Sequence, residues 1–162
     1  MRQRIGEAGY RAQLTYLAEV AQRRFETGEV SYVPAVRADD GPAGMPGREP
    51  FEYYGTPRSA SPHWVNQVSE LSWRELLTLD AGFAAALISP TPMLVIHGRT
   101  DDFLPPADAA WAYEQAGQPK EILWLDTANH IDLYDNDRFV GPAAQRAAVW
   151  FRQHLAATTV AS

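Results

Sequence analysis

Apolar residues recur at helical spacing near the start of the chain. Those between residues 8 and 27 are Tyr10, Leu14, Leu17, Ala21 and Phe25. Charged side chains such as Arg11 and Glu19 lie between them, so the apolar residues share one face of a helix. Gly28 follows, and glycine commonly ends a helix because it adopts a left-handed backbone without strain. The pattern predicts one amphipathic helix over residues 8–27.

The next part of the chain, residues 29–62, is rich in proline and glycine. It holds six of the twelve prolines and four of the eleven glycines. This density disfavours long regular elements, so we predict an irregular segment with at most a short strand at residues 30–33. Helical spacing of valine and leucine returns at residues 62–87 and predicts one or two helices, with a break near Asp80 and Gly82.

Two short apolar runs with a helical segment between them predict a strand–helix–strand unit. The runs are residues 93–96 and 121–125, and the helical pattern covers about residues 106–117. Short connections of this kind imply parallel strands and a right-handed crossover. After a loop at residues 126–139 we predict a terminal helix, with Pro142 at its first position and an apolar stripe that reaches Leu155.

The predicted α/β sheet is too small to be stable by itself. Parallel strands with continuous apolar runs are normally buried on both faces, inside sheets of several strands. Only two such runs are visible in this sequence, and a parallel pair alone leaves an edge of unpaired backbone groups. We therefore expect the chain either to take strands from a partner or to be the C-terminal part of a longer protein. The isolated chain should be insoluble, oligomeric or loosely packed.

Composition narrows the classes of function. The 162 residues are 46% apolar and 21% charged, as in ordinary globular domains. Acidic residues outnumber basic ones by 20 to 14, so we expect no nucleic-acid partner. We see no apolar run long enough for a membrane span and no signal-peptide pattern, and expect a cytoplasmic protein. The sequence contains no cysteine, which excludes disulfides, thiolate nucleophiles and cysteine-ligated zinc.

Two polar loops follow the two predicted parallel strands. Residues 97–105 read HGRTDDFLP and residues 126–135 read DTANHIDLYD. Such loops leave the sheet side by side at its carboxyl edge. An aspartate in the first loop can therefore orient a histidine in the second, as a carboxylate orients a general-base imidazole. We expect Asp101 and His130 to form this pair.

Each candidate residue also has a plainer interpretation. Asp101 could cap its own turn, and Asp102 could be the functional acid instead. His130 could be an ordinary loop histidine bonded to backbone groups. We expect His97 to be structural, and His63 and His154 to be exposed. A metal site is formally open, with the ligands His97, Asp101, His130 and Asp132. Since no metal-binding histidine pair supports it, we expect neither a metal nor a cofactor.

This arrangement resembles a known family. The order of strand, HGxxDxxxP at residues 97–105, helix, strand and then a loop with His130 is similar to the last third of an α/β-hydrolase. Residues 129–134, NHIDLY, and residues 52–58, EYYGTPR, resemble those of a dienelactone-hydrolase-like bacterial branch. The resemblance implies that Asp101 is the acid and His130 the base of a catalytic triad. It also implies hydrolysis of ester or related acyl bonds.

The sequence departs from the family at the nucleophile. The family's serine lies in a G-x-S-x-G turn before the acid, and none of the seven serines here lies between glycines in that way. The family's early strands and its backbone oxyanion donors are also unaccounted for. We therefore expect the isolated chain to be inactive.

Three hypotheses for the function follow. The chain is the C-terminal portion of an α/β-hydrolase that acts on a small ester-type substrate; or it is a non-catalytic remnant that serves as a binding or interaction protein; or it is half of a split hydrolase completed in trans. In the first hypothesis, residues 1–62 form a helix and a proline- and glycine-rich cap-like segment. Residues 63–162 then belong to the hydrolase core, whose exposed strand edge could support self-association.

Overall fold

The protein is a mixed α/β chain, as predicted, and forms two compact units. A computed structural model describes residues 2–39 and 41–155. The first unit covers residues 1–79 and the second residues 80–162. This division falls later than the predicted domain boundary at residue 62, and the cap-like role of residues 1–62 stays a prediction. Residues 156–162, the end of the predicted second domain, lie outside the described part.

The first unit begins with helix α1, Arg2–Thr27, which includes the predicted helix. Gly6 interrupts it with a φ of 68°, so the regular helix follows that glycine, near the predicted start. At the other end, Gly28 has a φ of 76° and its N–H donates to the carbonyl of Arg24, as predicted for a helix-ending glycine. Leu17 and Val20 are buried, whereas Phe25, placed on the apolar face by its spacing, is 86% exposed.

The rest of the first unit consists of short elements. They are β1 (Tyr32–Val33), β2 (Val36–Arg37), β3 (Met45–Pro46), α2 (Arg48–Tyr54), a 3₁₀ turn (Pro57–Ser59), β4 (Val68–Ser69) and α3 (Ser72–Thr78). β1 pairs with β4 in antiparallel fashion, and β2 pairs with β3 in parallel fashion.

Three of these strands correct the sequence interpretation. We predicted at most one strand in residues 29–62 and only helices in residues 62–87, whereas β2, β3 and β4 lie there. A distant side chain supports β2: the Asn66 amide accepts from the backbone N–H of Val36 at 2.9 Å and donates to its carbonyl at 3.1 Å. A two-residue strand stabilised by a side chain 30 positions away has no periodic signal in the sequence.

The second unit contains the predicted strand–helix–strand arrangement. Its first elements are α4 (Ala81–Ala85), β5 (Met93–Gly98), α5 (Pro106–Gln115) and β6 (Lys120–Leu125). β5 and β6 are parallel and in continuous register, from Met93 opposite Lys120 to Gly98 opposite Leu125. The predicted helix break near Asp80 is also confirmed, since α4 begins there with the Asp80 carboxylate accepting from the Phe83 N–H.

The β5–β6 pair remains a two-stranded sheet among the residues that the structure describes. Helices α5 and α7 contact it, and of its twelve residues only Gly98 is buried. The strands are half-buried instead of enclosed on both faces, which agrees with the prediction that this sheet lacks neighbours. Large apolar side chains of the unit, among them Phe83 and Leu87, stay exposed.

The last two helices differ from the prediction. The stretch 126–139 contains a short helix α6, Asp132–Asp135, and the terminal helix α7 covers Asp137–His154. Pro142 therefore lies inside α7 and not at its first position. The Asn136 side chain begins this helix by accepting from the N–H of Arg138, an N-cap signal that outweighs the preference of proline for the first turn. Within the described residues, no helix has the length and apolarity needed to cross a membrane.

Candidate functional site

The carboxyl ends of β5 and β6 bring two loops together. The acid loop, residues 99–105, follows β5, and the histidine loop, residues 126–131, follows β6. The N–H of Arg99 donates to the carbonyl of Leu125 at 2.7 Å, which extends the strand pairing by one step into the loops. The parallel topology therefore places the start of both loops next to each other, as expected for a βαβ unit.

Asp101 is buried, and both of its carboxylate oxygens accept hydrogen bonds. Oδ1 accepts from the backbone N–H groups of Phe103 and Leu104, at 2.9 and 2.6 Å. Oδ2 lies 2.7 Å from Nδ1 of His130. Oδ1 of Asp101 thus caps its own turn while Oδ2 contacts His130, so both interpretations of this side chain apply. Asp102 is exposed, and Asp101 is the aspartate that contacts His130.

His130 is held at both ring nitrogens. Because the ionised Asp101 carboxylate only accepts, Nδ1 of His130 carries the proton and donates. In the neutral ring, Nε2 is then the acceptor, and the Tyr134 hydroxyl lies 2.7 Å from it. Phe103 covers a side of the imidazole, with the ring centroids 5.7 Å apart. The arrangement can hold a neutral imidazole in the tautomer of a general base.

β5 and the histidine loop approach each other closely at Gly98, because glycine has no side chain. A Cβ atom there would lie 2.1 Å from Oγ1 of Thr127 and 3.2 Å from the carbonyl oxygen of Thr100. The buried Thr127 hydroxyl donates to that same carbonyl at 2.8 Å. Gly98 therefore permits the side-chain bond that joins the two loops.

Asp132 braces the histidine loop from its far end. Its Oδ2 accepts from the N–H of Ala128 at 2.8 Å, and its Oδ1 accepts from the Asn136 amide at 3.1 Å. Its own N–H donates to the Asn129 side chain at 3.0 Å. Both carboxylate oxygens of Asp132 are thus occupied in shaping the loop. Among the described residues, no three His, Cys, Asp or Glu side chains are grouped to hold a metal ion.

The other histidines take no part in the hydrogen bond between Asp101 and His130. Nδ1 of His97 donates to the carbonyl of Gly98 at 2.8 Å, and the His97 ring contacts the Trp124 ring edge to face. Its Nε2 is 3.8 Å from Oδ2 of Asp101, beyond hydrogen-bond distance. His63 and His154 are exposed, and the His154 ring lies 4.2 Å from that of Trp150.

Sequence reasoning missed Tyr134 and the bracing role of Asp132. Tyr134 follows His130 by four residues, and a short helix between them brings the phenol back over the imidazole, with centroids 5.1 Å apart. The usable signal was this spacing, because side chains four apart meet when the intervening residues are helical. We predicted a loop over these residues, and in a loop a spacing of four does not bring two side chains together.

Comparison with known proteins finds curated relatives that are longer than this chain. No family model matches the chain. It is 31% identical to the uncharacterized protein PA2218 of Pseudomonas aeruginosa, over 94% of this chain and 43% of that protein. It is 29% identical to the uncharacterized protein YcjY of Escherichia coli, over 67% of this chain and 35% of that protein. The chain thus spans less than half the length of these curated relatives.

Solved structures with a similar fold include an α/β hydrolase. The α/β hydrolase GrgF of Penicillium sp. aligns with a TM-score of 0.70 at 23% identity, over 94% of this chain and 52% of GrgF. The PA2218 structure aligns with a TM-score of 0.69 at 25% identity, over 92% of this chain and 46% of that one. DcsB, solved in complex with its substrate analogue, aligns with a TM-score of 0.76 at 19% identity, covering 93% and 53%. The predicted fold class is thereby confirmed: the chain has an α/β-hydrolase-like fold.

Proposed function

We propose that this chain is the acid- and base-bearing C-terminal portion of a hydrolase of ester or related acyl bonds, from the dienelactone-hydrolase-like branch. The contact between Asp101 and His130, at the carboxyl edge of parallel strands, carries the proposal. The α/β-hydrolase-like fold supports it. In this proposal Asp101 is the triad acid, His130 is the triad base, and the substrate is a small ester-type molecule.

The chemistry follows from the protonation pattern. With Nδ1–H donated to Asp101, Nε2 of His130 has the lone pair that can take a proton from an attacking hydroxyl. The imidazolium that forms is stabilised by the Asp101 carboxylate, whose charge is held by two backbone N–H groups. Nε2 then returns the proton to the leaving group as the acyl bond breaks.

The nucleophile and the oxyanion donors belong, in this proposal, to residues outside this 162-residue chain. No serine in it lies in a G-x-S-x-G turn. The chain spans 43% of its relative PA2218, which leaves room for them in proteins of that length. Without these groups the chain should show no hydrolysis that depends on His130, because loss of the nucleophile in a triad costs about 10⁶ in turnover.

Complementation tests the proposal. The chain is mixed or co-expressed with the part of PA2218 that the match does not cover, and hydrolysis of 4-nitrophenyl acetate is followed. Activity should appear only in the mixture, and His130→Ala or Asp101→Asn should abolish it. His63→Ala and Asp102→Asn are the matched controls and should leave it unchanged.

Other outcomes distinguish the competing hypotheses. His130-dependent hydrolysis by the chain alone would mean that a nucleophile inside this sequence was overlooked. A stable complex without activity would favour the binding remnant. The genomic sequence immediately before Met1, read for a G-x-S-x-G motif in any frame, separates a continuous hydrolase from one that is completed in trans.

A further inference from the structure

The Tyr134 hydroxyl occupies the position on His130 that a triad nucleophile would use. It lies 2.7 Å from Nε2, on the ring nitrogen opposite the one bonded to Asp101. Asp101, His130 and Tyr134 therefore form a continuous chain of carboxylate, imidazole and hydroxyl. In this chain the phenolic O–H donates to Nε2, because the Nδ1 proton is already committed to the carboxylate.

We propose that Tyr134 is a positioning residue that caps the base and gives way when the nucleophile arrives. The proposal rests on the proposed function of His130. Nε2 of a neutral imidazole has one lone pair, so it accepts one hydroxyl proton at a time. An attacking hydroxyl and the Tyr134 hydroxyl therefore compete for the same atom. Until it is displaced, the Tyr134 hydroxyl occupies the Nε2 lone pair of the tautomer that the contact with Asp101 sets.

The surroundings of Tyr134 suit a cap that can move. Its helix, α6, has only four residues, and the carboxylate of the first of them, Asp132, accepts from the N–H of Ala128 and from the Asn136 amide. The residue Tyr134 is 38% exposed, so displacement of its hydroxyl from Nε2 requires no opening of a packed core. The edge-to-face contact of the two rings, at 78°, stays available to a phenylalanine that lacks the hydroxyl.

Carbethoxylation of histidine by diethyl pyrocarbonate tests the cap on the 162-residue chain. The reagent attacks an imidazole nitrogen with a lone pair, which in His130 is Nε2. Tyr134→Phe should raise the modification rate of His130 about two- to tenfold, the factor that one net hydrogen bond represents. The rate at exposed His63, measured by mass spectrometry in the same sample, should not change. Tyr32→Phe, which removes an exposed hydroxyl in the first unit, is the matched control and should leave both rates unchanged.

Nitrogen-15 NMR of the imidazoles separates failure of the cap from failure of the proposed function. Neutral His130 should carry its proton on Nδ1, and Tyr134→Phe should shift the Nε2 resonance without changing the tautomer. An unchanged Nε2 resonance and an unchanged carbethoxylation rate would overturn the cap but leave the Asp101–His130 pair intact. A wild-type proton on Nε2, or a tautomer insensitive to Asp101→Asn, would overturn the general-base assignment as well.

Discussion

The carboxyl edge and the lateral edge of the β5–β6 sheet differ in how completely their polar groups are paired. At the carboxyl edge, both oxygens of Asp101, both oxygens of Asp132 and both nitrogens of His130 have hydrogen-bond partners. At the lateral edge, β5 has β6 on one side and no second strand among the described residues. These polar groups find their hydrogen-bond partners within the second unit, whereas the free side of β5 has no partner strand among the described residues.

This difference follows from the range of the interactions. The site is formed by contacts among residues 98–136. The strand–helix–strand unit and the short helix after it bring these residues together. A parallel sheet gains its stability from neighbours on both sides and from cover on both faces, which come from more distant segments. A local site can therefore be recognisable in a chain whose sheet remains open.

The largest expected effect concerns the lateral edge. An open edge beside half-buried apolar strands is a template for pairing between molecules. The purified chain should therefore form species larger than a monomer at micromolar concentration, and analytical ultracentrifugation across a dilution series measures this. A monomer with a single cooperative unfolding transition would contradict the comparison and favour a self-contained remnant.

The next effect concerns the junction of the two loops. Gly98→Ala places a methyl group against Thr127 Oγ1 and should lower the free energy of unfolding by about 3 kcal/mol, the upper range for overpacking. Urea unfolding followed by far-ultraviolet circular dichroism measures the change. Thr127→Ala removes the obstructing oxygen, so the double variant should lose less stability than the sum of the single variants. Strict additivity would mean that the contact does not limit the approach of the loops.

A smaller effect is expected at the acid itself. Asp101→Asn presents an amide in place of a carboxylate and weakens the charge-assisted bond to His130, which should cost about 1–2 kcal/mol. Asp102→Asn changes the same charge one residue away at an exposed position and should have almost no effect. Thermal unfolding of the two variants under identical conditions provides the comparison. Equal losses of stability in the two variants would contradict the expectation that Asp101, unlike Asp102, stabilises the fold through its contact with His130.

The smallest effect is a dependence of stability on pH that comes from Glu121, near the start of β6. Hydrogen bonding and charge attraction from Arg146 lower the pKa of Glu121 below its ordinary value of 4.5. The unfolded state therefore binds the proton more readily. The pair's contribution is complete above the ordinary pKa and is lost as the pH falls through the lowered one.

This contribution should be about 1 kcal/mol or less, because both side chains are partly exposed. Glu121→Gln should flatten this part of the stability profile between about pH 5 and pH 3. Urea midpoints measured across that range provide the check. An unchanged profile in the variant would assign the acid sensitivity to other carboxylates.

Much of the second unit could be predicted from the sequence. The apolar runs at residues 93–96 and 121–125 correspond to β5 and β6, because a buried or half-buried strand leaves a continuous apolar signal. The parallel crossover then placed the loops of Asp101 and His130 side by side, a consequence of topology and not of exact geometry. In the first unit, α1 was predictable from the helical spacing of its apolar residues. The strands β2, β3 and β4 have two residues each, too few for a periodic signal, and β4 pairs with β1 more than 30 residues away.

The order of the acid and histidine loops, and the sheet edge at which they meet, could be read from the amino-acid pattern. The packed fold was needed to show which aspartate contacts His130, that the Thr127 hydroxyl donates to Thr100 beside Gly98, and that the Tyr134 hydroxyl lies at Nε2. The physical reason is a difference in scale. Periodicity and strand order act over several residues, while a hydrogen bond is decided by tenths of an ångström and by side-chain directions that depend on the packed fold.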